Sequence, residues 1–306
     1  MPDTNHPPTV VVTGASGLIG TKLVAALEAD GKHVLRAVRR EANSDRELSW
    51  DPAVGKIDRE KIEGADAVIH LAGANIAGKR WNEAYKQRLI DSRVDGTTLI
   101  AETIAGLDQK PRVFASASAI GYYGNRGDAE LDESAASGDG FLPELCMQWE
   151  RSCQAARDSG IRTANMRIGV VLSPAGGALK EMLTPFKLGG GGILGSGRQY
   201  FSWISLDDVV GAMQLVVDND SLSGPVNLVS PNPVTNREFT KTLGQVLSRP
   251  TLLPMPAFAA RLLFGEMADA LLLASARVVP GSLTAARFDF QYAELEPALR
   301  HLLNRG

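Results

Sequence analysis

Residues 9–20 read Thr9-Val-Val-Val-Thr13-Gly14-Ala15-Ser16-Gly17-Leu18-Ile19-Gly20, a short β-branched run that breaks into glycines at every third position. The run is apolar toward both sides, so it predicts a strand buried on both faces rather than a surface strand. After the glycines, Leu18, Leu23, Val24 and Leu27 recur at helical spacing until Gly31, a residue suited to a left-handed cap. Strand, glycine turn and helix in direct succession predict a dinucleotide site. A helix N-terminus presents free N–H groups and the positive end of its dipole to a diphosphate, and glycines let the backbone come close.

Working outward, His33–Val38 reads as a second strand and is followed by Arg39 and Arg40, nineteen and twenty residues beyond Gly20. Sites that prefer NAD place an acidic residue about 20 residues on, to bond the ribose 2′-hydroxyl. Here that place holds two cations. Guanidinium groups bind phosphate through charge-assisted, often bidentate hydrogen bonds, so a 2′-phosphate is expected and the cofactor is expected to be NADP(H). The alternation then continues: a strand at Ala67–Leu71, a long helix or two over Trp81–Leu107, a strand at Arg112–Ala117, a helix over Pro143–Ser159 and a strand at Arg162–Val171. Strands separated by helices at these lengths imply right-handed crossovers and an α/β fold, a doubly wound parallel sheet of the Rossmann kind.

After Leu172 the chain becomes loop-rich, with Gly189–Gly192 and Gly195-Ser-Gly197, the expected substrate-facing loop ending in Arg198-Gln-Tyr-Phe201. Helices are predicted over Leu206–Val217 and over Asn236–Leu247, the second capped by Thr235, with a strand at Val226–Ser230 between them. The chain from Pro254 onward reads as helical. The expected division is a dinucleotide-binding domain of residues 1–172 with about 205–232, and a smaller, mostly helical C-terminal lobe of about 173–204 and 233–306.

The 306 residues allow one large or two modest domains. Lys plus Arg number 32 against 35 Asp plus Glu, for a net charge of −3 with no long run of either sign. That balance argues against a nucleic-acid or anionic-membrane partner. Met1–Pro8 lacks the order of a signal peptide, and no stretch approaches the about 18 apolar residues of a membrane span, so a cytoplasmic chain is expected. Cys146 and Cys153 fall in one predicted helix, roughly 10 Å apart at about 1.5 Å per residue, beyond disulfide reach. The histidines at 6, 33, 70 and 301 and these cysteines make no metal-ligand spacing, so no metal is expected.

The glycine motif, His70-Leu-Ala-Gly73, Ser116-Ala-Ser118 with Tyr122-Tyr-Gly124, and Trp203-Ile-Ser-Leu-Asp207-Asp-Val together resemble the extended short-chain dehydrogenase/reductases. Leu71-Ala-Gly-Ala-Asn75, Arg80-Trp81-Asn, Ser92-Arg93 and Gly195-Ser-Gly-Arg-Gln-Tyr-Phe-Ser-Trp-Ile204 narrow the resemblance to the atypical "epimerase family" proteins with a C-terminal domain of unknown function. The resemblance implies a cleft between two lobes and a homodimer built from two helices per subunit. It places Gly14, Ser16, Gly17, Leu18, Ile19 and Gly20 at the cofactor diphosphate, Arg39 and Arg40 at the 2′-phosphate, and Leu71, Ala72 and Gly73 along the adenosine ribose and diphosphate. Arg93 stands where many members have Asn, and is expected to reach the cofactor or an acidic group of the substrate.

The chain departs from the family at its acid. Relatives use Tyr-x-x-x-Lys on one helix face, the cation lowering the phenol pKa. Here Leu142 falls in the tyrosine slot and Cys146 in the lysine slot. Ser118 matches the serine that bonds the reacting oxygen in relatives, and Tyr122 or Tyr123 is left to supply the proton. Cys146 qualifies only if its thiol faces the cleft with a depressed pKa. The expected function is hydride exchange between NADP(H) and a carbonyl or carbinol carbon of a small molecule. The alternative is an NADP(H)-binding redox sensor with little or no turnover, and the lost Tyr-Lys pair keeps it open.

Overall fold

A computed structural model describes residues 7–305. The sequence reading of Met1–Pro8 and the histidine at position 6 thus fall largely outside the described residues. The main sheet has eight strands: β1 (Thr9–Thr13), β2 (His33–Val38), β3 (Glu47–Asp51), β4 (Lys56–Ile57), β5 (Ala67–His70), β6 (Val113–Ala119), β7 (Arg162–Ile168) and β8 (Gly224–Leu228). Their spatial order is β8-β7-β6-β5-β1-β2-β3-β4, parallel throughout except for the final β3–β4 pair. The chain winds outward from β1 through β4, returns to the other side of β1 as β5, and winds outward again. The β1–β5 junction is therefore the topological switch point, where open α/β sheets hold their ligands beyond the strand C-termini.

The helices are α1 (Leu18–Ala29), α2 (Glu83–Ala105), α3 (Phe141–Arg151), α4 (Gln154–Asp158), α5 (Gly177–Lys187), α6 (Leu206–Asp218), α7 (Asn236–Leu247), α8 (Ala257–Phe264), α9 (Gly281–Ala285) and α10 (Leu295–Leu302). Two cores lie on opposite sides of the sheet. Val10 and Val12 pack with Leu23, Leu27, Val209 and Met213 under α1 and α6, whereas Val11 packs with Phe114, Ile100 and Ile104 under α2. Successive side chains of a strand point to opposite faces, so a β1 apolar on both sides is what two helical layers require. A further core joins α5, α7 and α10 through Leu179, Phe239, Leu243 and Leu299, and accounts for much of the C-terminal helical region.

Several expected elements change shape. Pro143–Ser159 forms two helices, because Ser152 ends α3 with its hydroxyl turned back onto the Gln148 carbonyl at 2.9 Å. Cys146 and Cys153 consequently do not share a helix, and both are buried free thiols. The strand at 162–171 leaves the sheet after Ile168, and Val170–Leu172 pairs instead with Trp203–Ser205. The apolar stretch 258–273 breaks at Gly265 into α8 and a wide turn over Ala268–Leu273. No described helix is long and apolar enough to cross a membrane.

Candidate active site

Register sets the site. Thr13 pairs with Ala37 on one side and His70 on the other, so the glycine loop, Arg39 and Leu71 all emerge at one edge of the sheet. Gly14 has φ +66°, and a Cβ there would lie 2.8 Å from the Leu71 carbonyl carbon. A Cβ on Gly20 would lie 2.1 Å from the Gly14 oxygen. The loop is thus pressed against both α1 and the Leu71–Ala72 backbone, where only glycine fits. α1 has no side-chain cap, and its first internal bond runs from the Thr21 N–H to the Gly17 oxygen at 3.0 Å. The N–H groups of Leu18, Ile19 and Gly20 have no partner among the described residues, which is a donor set aimed at an anion. This fit is what a diphosphate needs.

Thr13 fastens the loop to β5. Its Oγ1 accepts from the Leu71 and Ala72 N–H groups at 3.1 and 3.2 Å and lies 2.7 Å from His70 Nδ1. With both lone pairs spent, the hydroxyl donates to Nδ1, and the ring proton resides on Nε2. That Nε2 is buried without a partner among the described residues, and burial drops the His70 pKa to about 3, so the ring stays neutral.

At the end of β2 the two arginines differ. Arg40 donates to both Glu47 carboxylate oxygens, at 2.8 and 2.7 Å, and the pair draws the Glu47 pKa down to about 2. Arg39 is exposed and has no hydrogen-bond partner among the described residues. The sequence treated the pair as equivalent; of the two, Arg40 is committed to Glu47, whereas Arg39 has no partner among the described residues.

On the other side of the switch point, β6 ends beside α3. Ser118 is 2% exposed and donates its hydroxyl to Glu150 at 2.7 Å, since a carboxylate only accepts. Glu150 also takes Arg167 Nε and Nη2 at 2.8 and 2.9 Å. Burial alone would lower the Arg167 pKa, but the hydrogen bonds and charge of Glu150, with Tyr123 behind them, raise it above its ordinary value. The guanidinium lies 3.4 Å from the Tyr122 ring centre, a close cation–π stack. Tyr123 is fully buried, donating to Asn227 at 2.7 Å and accepting from Arg167 at 3.1 Å, and desolvation raises its pKa. Tyr122 is half-buried, and its hydroxyl has no partner among the described residues. Of the two phenols, then, Tyr122 keeps a free O–H. Ser118, expected to meet the reacting oxygen, instead spends its proton inside the protein.

Leu142 and Cys146 do face the strand end. A Cβ on Gly121 would lie 3.3 Å from Leu142 and 3.7 Å from the Cys146 sulfur. Burial, with the nearby Glu150 charge, pushes the Cys146 thiol up to about 12, so the condition for its acting as an acid–base group is not met. Arg93 comes up beside Gly73 from α2. The glycine-rich loop Gly195–Gln199, with Asp128, Arg261 and Ser275, lines a cavity of about 590 Å³. The structure therefore brings together Gly14, Gly17, Gly20, Leu71, Ala72, Gly73 and Arg93, and separately Ser118 and Tyr122. Sequence reasoning missed Glu150 and Arg167. The available signal was a glutamate two turns beyond Leu142 on the same helix face; Arg167 stands in a strand that also carries Arg162, Thr163 and Asn165, so its surroundings in sequence did not single it out.

Comparison with known proteins agrees with this architecture. The model of the NAD dependent epimerase/dehydratase family matches residues 10–228, and that of a domain of unknown function, DUF1731, matches residues 255–302. The epimerase family protein Mb2239 of Mycobacterium bovis is 46% identical over 296 residues, covering 97% of this chain and 98% of the relative. The crystal structure of the human epimerase family protein SDR39U1 (isoform 2) with NADPH superposes with a TM-score of 0.89 at 33% identity, covering 97% of this chain and all of that one. A nucleoside-diphosphate sugar epimerase from Corynebacterium glutamicum follows at TM-score 0.80 and 36% identity, covering 97% of this chain and 58% of that one. The chain belongs to the NAD dependent epimerase/dehydratase family, in its branch with a C-terminal DUF1731 region.

Proposed function

We propose that the chain is an NADP(H)-dependent oxidoreductase or epimerase-like enzyme of the extended short-chain dehydrogenase/reductase type, acting on a carbonyl or carbinol carbon of a small molecule. The observation that carries the reading is the crevice itself: uncapped N–H groups at α1, a glycine loop seated on Leu71–Ala72, and at the end of β2 an Arg39 with no partner among the described residues. When bound, the cofactor supplies or accepts the hydride. The protein supplies the rest. The α1 N-terminus holds the diphosphate, Arg39 takes the 2′-phosphate, and the backbone of Leu71, Ala72 and Gly73 runs along the adenosine ribose and the diphosphate.

Tyr122 exchanges the proton with the substrate oxygen, because its hydroxyl is the uncommitted phenol at the end of β6. Arg167 lies under its ring and fixes the ring's orientation at the end of β6 by a cation–π stack. Ser118 and Glu150 hold that guanidinium in place, Ser118 acting as a positioning residue. NADH-type carboxylate recognition finds no counterpart at positions 39 and 40. The supporting similarity is to a relative crystallised with NADPH.

The test is NADPH oxidation followed at the nicotinamide absorbance against a panel of aldehydes and ketones, with Tyr122→Phe alongside. A consumed carbonyl, and a rate lowered about 100-fold or more in Tyr122→Phe at similar NADPH affinity, is the expected result. The sensor reading is favoured by one observation, the Leu142 and Cys146 side chains that face Gly121 where an acid pair would stand. Tight NADPH binding with no substrate consumed anywhere in the panel would decide for it.

A further inference from the structure

Arg93 stands on α2 with its guanidinium half-buried between the loop that leaves β5 and the face of α3. Its two terminal nitrogens donate to the main-chain oxygens of Leu89 and Ala74 at 3.1 and 3.2 Å, and its guanidinium carbon lies 5.0 Å from the Trp149 ring centre. An arginine has five N–H donors, so three remain without a partner among the described residues. Gly73 beside it is exposed, and even a Cβ there would stay 3.6 Å from the guanidinium carbon, so the approach is open.

No carboxylate among the described residues pairs with Arg93, whereas the fully buried arginine of the site, Arg167, is matched by both oxygens of Glu150. Burial lowers the Arg93 pKa, and the groups that oppose this are the Cys146 thiol and the Tyr85 phenol rather than an acid. A desolvated cation with no protein counter-ion is costly, and such groups collect at ligand sites. The anions of the cofactor would have donors elsewhere. The α1 N-terminus after β1 would take the diphosphate and Arg39 after β2 the 2′-phosphate, whereas Arg93 lies beyond β5, on the opposite side of β1.

We infer that Arg93 is the anion subsite of the cleft, taking a carboxylate or phosphate oxygen of the substrate, so that the substrate is a small acidic carbonyl or carbinol compound. This deepens the proposed function and rests on it, since it takes Leu71, Ala72 and Gly73 to follow the cofactor from the adenosine ribose to the diphosphate, leaving Arg93, past Gly73, for the space beyond the diphosphate. A planar guanidinium with adjacent free donors suits a two-oxygen group.

The test is direct binding, without turnover. Protein saturated with NADP⁺ is titrated with inorganic phosphate and with oxalate by calorimetry, for the wild type, Arg93→Lys and Arg93→Met, with thermal melting to establish that each variant is folded. The expected result is saturable anion binding in the wild type, weakened about 10- to 100-fold in Arg93→Met and partly kept in Arg93→Lys, with NADPH affinity nearly constant throughout. Three results overturn the inference: no anion binding to the wild-type complex, binding unaffected in folded Arg93→Met, or a loss confined to NADPH affinity, which would assign the cation to the cofactor diphosphate. If the wild type fails to bind NADPH at all, the cofactor reading falls by itself. The same titrations on the apo protein then judge Arg93 separately.

Discussion

Arg39 and Arg40 are adjacent in sequence and have opposite obligations. Arg40 is held by both oxygens of Glu47, so offering it to a phosphate means breaking an existing ion pair. Arg39 has nothing to break. Arg39→Ala should therefore lower the preference for NADPH over NADH by about tenfold or more, and Arg40→Ala by much less. Dissociation constants for both cofactors measure this, and equal losses would refute the asymmetry. His70 yields a prediction in pH. Its ring is neutral when folded, with a pKa near about 3, against about 6.5 when unfolded. The unfolded state thus binds the extra proton, so the stability is fully present above about 6.5 and drains away as pH falls toward about 3. Glu47, whose pKa is lowered to about 2, contributes its loss only below about 4.5, leaving the interval above that to His70. Urea midpoints should fall between pH 6.5 and 4.5 by the equivalent of about 2–3 kcal/mol, and His70→Asn, which keeps an acceptor for Thr13 but cannot titrate, should flatten that interval.

The element formed by β1, the glycine loop and α1 has no slack. A methyl group on Gly20 meets the Gly14 backbone oxygen, which cannot move without dislodging the loop from Leu71. Gly20→Ala should cost about 1–3 kcal/mol and weaken NADPH binding along with stability. A urea midpoint and a Kd that failed to shift together would count against the shared cause. This element was legible because everything in it is local: the run Val10–Val12, the glycine spacing and the helical apolar residues lie within one stretch of chain. The capping box at α7, where Thr235 and Glu238 bond each other's backbone N–H, was half-read for the same reason. β3 was missed although Glu47-Leu48-Ser49-Trp50-Asp51 alternates polar and apolar residues, because five residues of alternation carry little weight beside polar neighbours. The cluster of Ser118, Glu150, Arg167 and Asn227 was out of reach in a different way. Its members come from four elements, and only the pairing of β7 with β6 on one side and β8 on the other brings them together.

At the scale of the whole molecule, the question is what fastens the C-terminal region to the sheet. Asp207 and Asp208 are neighbours at the start of α6, and composition cannot tell them apart. Asp207 reaches Lys22 at 3.3 Å and His301 at 3.1 Å in partly exposed pairs, which are worth about 1 kcal/mol or less. Asp208 is 1% exposed, and its carboxylate accepts from the backbone N–H groups of Gln291 and Tyr292 at 2.7 and 3.1 Å and from Ser205 Oγ at 2.7 Å. It therefore ties the segment leading into α10 to α6, the helix packed on α1 and β6. Removing it orphans two N–H groups as well as deleting three charge-assisted bonds. Asp208→Ala should destabilise the protein by about 3–5 kcal/mol and speed amide exchange selectively across residues 288–302, whereas Asp207→Ala should leave both nearly unchanged. Denaturation together with hydrogen-exchange mass spectrometry on the two variants reads this out. Equal exchange profiles would mean that the core around Leu243 and Leu299, rather than the buried carboxylate, holds the C-terminal region in place.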